Sequence, residues 1–301
     1  MKNRDLWFFT GVSIGALSLT MVRRYRKRRN MEILTWQKQR CLDLDVLACP
    51  ECRGVLIISP LPEGEGLHCR DCQIDYLVVD GIPQFILQKE LTGMNKRFAQ
   101  MYDWFSWIYV AFGKIGFAYI GMNEETARRE ITDRLDPQGG RILEVSIGPG
   151  VNLPYLVGRS DVGGIYGLDI SPGQLNRCRD YVAHQNWDVH LDLGNAEQLP
   201  YQDNSFDGVF HIGGINFFND KKAAIEEMIR VAKPGARILI ADETEKGARA
   251  YEKIIPIFKD SFGGNRKPIV APLDLVPPEM LETRLSEAWK GWLYCLEFRK
   301  P

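Results

Sequence analysis

Four cysteines fall in two closely spaced pairs in the first third of the chain, Cys49-Pro-Glu-Cys52 and Cys69-Arg-Asp-Cys72. Two such pairs can place four thiolates at the corners of a tetrahedron, which is the ligand set of a structural Zn²⁺ site. Four protein ligands leave no position open to a substrate, so we expect this metal to fold its module rather than to do chemistry. The alternative is a pair of disulfides, which a reducing compartment disfavours.

A second group of chemistry-bearing residues is a glycine-rich loop preceded by an acid, Glu144-Val-Ser-Ile-Gly148-Pro-Gly150. Glycines directly after a strand let a ligand approach the backbone closely. Asp169 ends the next apolar run, where a carboxylate can accept hydrogen bonds from both hydroxyls of a ribose. These residues predict a site for an adenosine-containing cofactor. The loop lacks the G-x-G-x-x-G spacing of dinucleotide-binding proteins, and Glu144 could bind an ammonium group rather than a pyrophosphate.

Five segments resemble, in family order, the motifs of class I S-adenosylmethionine-dependent methyltransferases. They are EVSIGPG at 144–150, GLDIS at 167–171, NAEQLP at 195–200, DNSFD at 203–207 and VAKPG at 231–235. The resemblance implies S-adenosyl-L-methionine as the cofactor. It assigns the methionine end of the cofactor to Glu144, Gly148 and Gly150, the ribose to Asp169, and the adenine to Asn195, Ala196 and Ile170.

Two positions depart from the pattern of that family. Ser146 stands where the family usually has its first glycine, and we expect it to make a weaker or adjusted cofactor contact. Asn195 replaces a commoner aspartate, and its amide carbonyl can still accept a hydrogen bond from the adenine amino group.

The segment from about 46 to 87 contains the four cysteines and closes on Asp80-Gly81-Ile82-Pro83. It resembles the zinc-ribbon family that activates tRNA and protein methyltransferases. In that family the ribbon is an accessory module, often bound to or fused with a methyltransferase. The resemblance therefore implies that a protein partner could be recruited through the ribbon.

The methyl acceptor is less constrained than the cofactor. His211 lies near the end of the fourth predicted strand, facing the crevice where such sheets bind ligands, and it titrates near neutral pH as a proton acceptor should. The alternative is a histidine that is simply packed. The segment Met101–Tyr109 resembles the N-terminal cap of quinone and sterol methyltransferases, with an amphipathic core helix as the alternative.

Enzymes that methylate the exocyclic amines of nucleic-acid bases carry an Asn/Asp-Pro-Pro-aromatic motif after the fourth strand. This chain has HIGGINF at 211–217 there, which argues against a nucleic-acid substrate. We expect a methyltransferase acting on a lipophilic small molecule, quinone-like or another lipid, at carbon or oxygen. The alternative is a methyltransferase or adaptor that acts on a protein or RNA partner recruited by the zinc ribbon.

Strand and helix patterns alternate through the C-terminal part of the chain, which predicts an α/β fold with a parallel sheet. Together with the resemblance they predict a Rossmann-like class I methyltransferase with a seven-stranded sheet. Strands are predicted at 141–145, 163–169, 187–193, 205–212 and 237–241, with two closing strands in 284–299. Helices are predicted after the glycine-rich loop through Leu156, after the cap Ser171-Pro172, and at 221–231.

The N-terminus carries an uncharged run of 17 residues, from Leu6 to Val22, and a basic cluster follows at 23–29. A helix of that length is about 25 Å long, slightly short of the ~30 Å hydrocarbon core of a bilayer. The charge asymmetry predicts a single-pass membrane protein whose catalytic domain lies on the cytoplasmic side. The alternatives are an interfacial helix and an organelle transit segment. The formal net charge of −1 argues against a protein that coats nucleic acid non-specifically.

These observations divide the chain into five predicted parts. They are a membrane anchor with its basic collar at 1–30, a linker helix at 31–45, the zinc ribbon at 46–88, a helical cap or linker at 89–136, and the methyltransferase domain at 137–301.

Overall fold

The protein is described here by a computed structural model, which covers residues 27–29, 31, 42–86, 91–105, 116–118, 121–254 and 268–301. Its first unit is a four-stranded antiparallel sheet whose strands lie in chain order. The strands are β1 (Leu56–Leu61), β2 (Gly64–Cys69), β3 (Asp75–Val79) and β4 (Ile82–Pro83). β2 contains two glycines, Gly64 and Gly66, which interrupt its apolar pattern.

The second unit is built on a seven-stranded sheet in the order β10-β11-β9-β8-β5-β6-β7. The five strands β5 to β9 run parallel, and β10 and β11 add an antiparallel edge. The seven-stranded, Rossmann-like sheet with two closing strands is therefore as predicted. Its strands are β5 (Gly140–Val145), β6 (Val162–Asp169), β7 (His190–Leu193), β8 (Phe206–Ile212), β9 (Ala232–Glu243), β10 (Leu281–Ala288) and β11 (Leu293–Arg299).

Five longer α-helices accompany the second sheet within the described residues. They are α1 (Gly93–Phe105), α2 (Glu124–Thr132), α3 (Pro172–Gln185), α4 (Lys221–Val231) and α5 (Glu245–Ile254). α3 begins as the sequence predicts, because the Ser171 side chain accepts a hydrogen bond from the Gln174 amide and Pro172 occupies the first turn. α4 has the predicted bounds, with Asp220 as its N-cap.

Two elements are shorter than the sequence predicts. The segment after the glycine-rich loop forms only a single 3-10 turn, Leu153–Tyr155, instead of a helix through Leu156. Gly158 follows with a φ of +81°, which reverses the chain before a helix can extend. β7 begins at His190 rather than at residue 187, because Trp187 packs edge-to-face on Tyr181 of α3.

The cysteine-containing unit packs directly on the edge of the large sheet. The Phe85 amide donates to the Leu193 carbonyl of β7 at 2.8 Å, and the Ala48 amide donates to the Pro200 carbonyl at 3.0 Å. One continuous hydrophobic cluster contains Leu56 and Leu67 of the small sheet together with residues of the large sheet. The two units therefore share a core.

The predicted membrane span, residues 6–22, lies outside the described residues. No helix within the described part of the chain is long and apolar enough to cross a membrane. The predicted localisation, a single-pass membrane protein with a cytoplasmic catalytic domain, is corrected on this finding. The uncharged run is also slightly short for the hydrocarbon core, which weakens a prediction made from hydropathy and flanking charge alone.

Candidate functional site

The centre of the large sheet contains a topological switch point. From β5 the sheet continues to β6 on one side and to β8 on the other. Ligands of open α/β sheets bind in the crevice outside the carboxyl ends of the strands at such a point. β5 ends at Val145, which pairs with His211 of β8. The loops after these two strands therefore define the site.

Glu144 is buried at the end of β5, with 1% of its surface exposed. Its Oε1 accepts a hydrogen bond from Asn152 Nδ2 at 2.6 Å. Its Oε2 is buried and has no hydrogen-bond partner among the residues described. Burial raises the pKa of Glu144 to about 8, and the positive charge of Arg128 acts against that rise. The unpaired oxygen is therefore a candidate contact for a hydrogen-bond donor of a ligand.

Asp169, at the end of β6, holds the neighbouring loops together. Its Oδ2 accepts from the Gly148 amide at 2.8 Å and its Oδ1 accepts from the Ser171 amide at 2.9 Å. Its backbone carbonyl accepts from the Gly194 amide at 3.0 Å. Each carboxylate oxygen has two lone pairs, so both oxygens can accept a further hydrogen bond.

The glycine-rich loop uses the left-handed region of backbone space at three positions. Gly148 has a φ of +57°, and a Cβ built there would meet nothing within 4 Å, so this glycine faces open space. Gly150 has a φ of +79°, and its Cβ would lie 2.7 Å from Leu153 Cδ1 and 2.9 Å from Cys178 Sγ. Gly148 therefore leaves room for a ligand, whereas Gly150 is required by packing within the protein.

Ser146 is the third of these positions, with a φ of +63°. This left-handed conformation costs a residue with a Cβ roughly 1–2 kcal/mol relative to the right-handed one. We expect Ser146→Gly to raise the free energy of unfolding by about 0.5–1 kcal/mol, because the relief of strain exceeds the added entropy of the unfolded chain. Urea unfolding measures this change. Ser160→Gly is the control, since exposed Ser160 has no positive φ and its replacement should destabilise; a destabilised Ser146→Gly would contradict the expectation.

The residues predicted to contact adenine lie beside this loop. Ile170 follows Asp169 and is partly exposed, and Ala196 is buried with 5% of its surface exposed. The Asn195 side chain accepts from the Glu197 amide at 3.1 Å, which shapes the turn. Because Gly194 is hydrogen-bonded to Asp169, the structure brings the predicted ribose and adenine residues together at one edge of the sheet.

His211 is completely buried on β8. Its Nδ1 lies 2.9 Å from the Val145 carbonyl oxygen, which can only accept, so Nδ1 carries the proton in the neutral ring. Nε2 is then a hydrogen-bond acceptor, and it has no partner in the described part of the structure. Burial lowers the pKa of His211, which keeps the ring neutral at pH 7.

Asp242 lies on the same face of the sheet as His211. His211 pairs with Ile240 of β9, Asp242 follows two residues later, and Tyr294 of β11 pairs with Asp242. Asp242 is fully buried and accepts from the backbone amides of Gly214 and Asn216 at 3.1 and 2.9 Å. The carboxylate thereby fixes the loop that follows β8.

Three further polar groups around Asp242 are left without partners among the described residues: the Tyr294 hydroxyl, Asn216 Nδ2 and Glu243 Oε2. Lys221 Nζ donates to Asn216 Oδ1 at 2.9 Å, and an ammonium group can only donate, so the amide nitrogen of Asn216 points elsewhere. Burial strongly raises the pKa of Tyr294, so its hydroxyl stays protonated and can donate. Buried polar groups are costly unless they are hydrogen-bonded, which makes this cluster a candidate ligand site.

The four predicted metal ligands come together in the small sheet. The Sγ atoms of Cys49, Cys52, Cys69 and Cys72 all lie within 4.8 Å of one another. The pairs Cys49–Cys72 and Cys52–Cys69 are 3.5 and 3.4 Å apart. Zn–S bonds of about 2.3 Å in a tetrahedron imply S–S distances of about 3.8 Å, so this cluster is compatible with zinc. His68 is not among the residues whose ligand atoms cluster here, and its Nδ1 contacts Asp75 at 2.7 Å.

Several residues that contact Glu144 or lie beside His211 could not be predicted from the sequence. Arg128 and Asn152 form a buried chain to Glu144, and Asp242 and Tyr294 stand beside His211. Of these residues only Asn152 lies close in sequence to the glycine-rich loop, two residues after Gly150. By contrast, Asp207 is structural, accepting from the Arg141 amide and from Lys233.

Two protein families match the chain in separate regions. The family described as "Methyltransferase domain" matches residues 143–240, and the family described as "Trm112p-like protein" matches residues 44–81. The second match covers the four cysteines, and the first covers the glycine-rich loop, Asp169 and His211.

Individual relatives of the chain are named as methyltransferases. A phosphatidylethanolamine N-methyltransferase of Cereibacter sphaeroides is 30% identical over 51% of this chain and 72% of its own length. A demethylmenaquinone methyltransferase of Shouchella clausii is 30% identical over 54% of this chain and 68% of its own length. Other relatives, 33% and 35% identical, are matched over only 45% and 42% of their length, so the chain spans less than half of them.

A solved structure shares the fold. Phosphoethanolamine N-methyltransferase 2 of Haemonchus contortus, in complex with S-adenosyl-L-methionine, superposes with a TM-score of 0.51 at 15% identity, covering 71% of this chain and 61% of that one. The sheet order, the motifs at the switch point and the two relatives matched over most of their length agree. The chain belongs to the class I S-adenosylmethionine-dependent methyltransferases, and it carries a Trm112p-like zinc-ribbon region in the same polypeptide.

Proposed function

We propose that this methyltransferase transfers the methyl group of S-adenosylmethionine to an oxygen or carbon of a lipophilic, hydroxyl-bearing small molecule such as a quinol. The observation that carries this proposal is the unpaired Nε2 of His211 at the switch point, in a cluster with the unpaired donors of Asn216 and Tyr294. The proposal includes the extent of the two units: the ribbon spans residues 46–88, and the catalytic unit spans residues 137–301.

The cofactor fits the residues at the carboxyl ends of β5 and β6. Glu144 Oε2 would accept from the cofactor's ammonium group, and Asp169 would accept from both ribose hydroxyls. The open space at the Gly148 Cα admits the methionine part, with Ser146 and Gly150 shaping the loop. Ile170, Asn195 and Ala196 would enclose the adenine. When bound, the cofactor supplies an electrophilic methyl group on a sulfonium.

His211 is proposed as the group that takes the acceptor's proton. Its Nδ1–H is held by the Val145 carbonyl, so only Nε2 can receive a proton. As the acceptor bonds to the methyl group, the methyl–sulfur bond would break and leave the neutral thioether S-adenosylhomocysteine. The acceptor's hydroxyl proton would pass to Nε2, and the nearby charge of Asp242 would stabilise the imidazolium. The ring must be neutral beforehand, so the rate should fall as pH drops below the lowered pKa of His211.

The donor groups favour an oxygen-bearing acceptor over an amine. Asn216 Nδ2 and the Tyr294 hydroxyl can both donate to a lone pair of an acceptor oxygen. An amine nitrogen that attacks the methyl group needs its lone pair for the new bond and could not accept from these donors. Two relatives are named for acting on demethylmenaquinone and phosphatidylethanolamine, and the polar cluster favours the first kind of substrate.

The zinc ribbon is proposed to support the catalytic unit. The four thiolates would hold one Zn²⁺ with no open position, which makes the metal structural. Gln198 Nε2, in the loop that follows Asn195, donates to the Pro50 carbonyl of the first cysteine pair at 2.7 Å. This contact with the folded ribbon would stabilise the loop that is proposed to contact adenine. Recruitment of a protein through the ribbon's outer surface is the second candidate, supported by the exposed side chains of Val55, Ile58 and Val79.

The test is methyl transfer from radiolabelled S-adenosylmethionine to demethylmenaquinol, with oxidised demethylmenaquinone and phosphatidylethanolamine assayed alongside. We expect transfer to the reduced quinol. His211→Asn retains a donor to Val145 but loses the proton acceptor, so kcat should fall about 100-fold with unchanged affinity for S-adenosylhomocysteine. The control is His184→Gln, at an exposed histidine of α3. Absence of transfer to the quinol, or full activity of His211→Asn, would contradict the proposal.

A further inference from the structure

A buried hydrogen-bonded relay connects α2 to the proposed cofactor site. Arg128 Nη1 donates to Asn152 Oδ1 at 2.8 Å, and Asn152 Nδ2 donates to Glu144 Oε1 at 2.6 Å. Arg128 is 6% exposed and Asn152 is 2% exposed. A guanidinium can only donate, so it fixes which end of the Asn152 amide faces Glu144. The relay therefore runs in one direction and ends on one carboxylate oxygen.

We propose that Arg128 is a positioning residue of the methyltransferase, acting through Asn152 on Glu144. It would hold the Glu144 carboxylate so that Oε2 stays directed to the ammonium of the methionine moiety. It would also supply a buried positive charge that favours the ionised form of this carboxylate. This inference rests on the proposed assignment of Glu144 to the cofactor.

The surrounding charges support that role. Glu144 is faced by Arg128 from α2 and by Asp169 from β6, which act on it in opposite senses. Arg128 also pairs with Glu124 through Nε at 2.9 Å and lies 5.3 Å from the centre of the Phe117 ring. These contacts fix the guanidinium in the core, where it is the cation that faces Glu144 within the described structure.

Removal of Arg128 has a consequence that depends on pH. Burial alone raises the pKa of Glu144, and the arginine opposes that effect. Without the arginine a larger fraction of Glu144 is protonated at neutral pH and cannot pair with an ammonium group. Affinity for a ligand that carries the ammonium should then fall at pH 7 and recover as pH rises. Affinity for a ligand without an ammonium group should not change.

The experiment compares two ligands by calorimetric titration of the full chain. S-adenosyl-L-homocysteine carries the ammonium group, and 5′-methylthioadenosine has the same nucleoside and a sulfur but lacks it. For Arg128→Met we expect a loss of about 10- to 100-fold in affinity for S-adenosylhomocysteine at pH 7, and less than about threefold for methylthioadenosine. The loss should shrink at pH 9. Arg129→Met, at the next and exposed arginine of the same helix, is the matched control and should change neither affinity.

Equal losses for both ligands, or no loss for either, would overturn the proposal, because a merely structural arginine does not distinguish them. Where Arg128→Met does not fold, Arg128→Lys serves instead. The lysine retains the charge but not the fork geometry, and a selective loss of about three- to tenfold for S-adenosylhomocysteine supports the relay. Failure of the unaltered chain to bind S-adenosylhomocysteine would instead refute the assignment of Glu144 and Asp169 to the cofactor.

Discussion

Asp169→Ala is expected to weaken binding of S-adenosylhomocysteine by about 10²- to 10⁴-fold. The carboxylate is proposed to accept two ribose hydroxyls, and hydrogen bonds to a charged group contribute about 1.5–3 kcal/mol each. Their joint loss, about 3–6 kcal/mol, corresponds to that change in Kd. The substitution also leaves the Gly148 and Ser171 amides without their side-chain acceptor, so the free energy of unfolding should fall by about 1–3 kcal/mol.

Two companion variants separate binding from stability. Asp192→Ala removes another buried carboxylate of the same sheet, one that accepts from the Tyr201 hydroxyl at 2.9 Å. It should destabilise the protein to a similar extent but retain affinity for S-adenosylhomocysteine. Asp169→Asn keeps one oxygen and should lie between the unaltered chain and Asp169→Ala. Unchanged affinity in Asp169→Ala would show that the ribose is not held here.

Cys69→Ser is expected to abolish stoichiometric zinc binding and to lower the free energy of unfolding by more than about 3 kcal/mol. Structural zinc contributes roughly 10 kcal/mol or more to the folding of small zinc modules. Cys49 and Cys69 belong to the same buried cluster as Leu143 and Tyr166 of the large sheet. Loss of the metal should therefore destabilise the catalytic unit as well as the ribbon.

The measurements are metal analysis by mass spectrometry and thermal unfolding of the full chain. Cys295→Ser is the matched control, because Cys295 is a buried thiol of β11 outside the cysteine cluster. It should retain one zinc per chain. We also expect weaker binding of S-adenosylhomocysteine in Cys69→Ser, since Gln198 and Pro200 contact the ribbon. A zinc-free Cys69→Ser chain with unchanged stability would contradict a structural metal.

The sequence predicted the architecture well because its strongest signals are local. These signals are the two cysteine pairs, the acid before the glycine-rich loop and the acid that ends the next strand. Each is a short spacing in the sequence and does not depend on how the elements pack. The bounds of α4 follow from its Asp220 N-cap and an apolar periodicity. Two elements differ from the prediction, the turn after Gly150 and the start of β7. They depend on the backbone conformation of Gly158 and on the packing of Trp187 against Tyr181, which are set by the tertiary structure.

The polar partners of the site could not be predicted for a physical reason. Arg128, Asn152, Asp242 and Tyr294 come from four separate elements and meet Glu144 or His211 only when the sheet is assembled. Sheet register decides that Tyr294 stands opposite Asp242, and helix packing decides that Arg128 is buried. An arginine in a charged helix such as 124–132 is read from sequence as a solvent-facing residue.

The N-terminal prediction failed for a different reason. Hydropathy and flanking charge describe residues 6–22 in isolation, and the uncharged run is slightly short for the ~30 Å hydrocarbon core. The described part of the chain contains no helix capable of spanning a membrane. The proposed oxygen-bearing acceptor rests on the polar cluster around Asp242 and requires no membrane anchor.

The central claim is that one edge of the sheet holds S-adenosylmethionine through Asp169 and Glu144. A crystal structure of the full chain with S-adenosyl-L-homocysteine tests it most directly. We expect both ribose hydroxyls about 3 Å from the Asp169 carboxylate and the ammonium group within hydrogen-bond distance of Glu144 Oε2. A nucleoside bound elsewhere, or an ammonium group that leaves Glu144 Oε2 unpaired, would contradict the account.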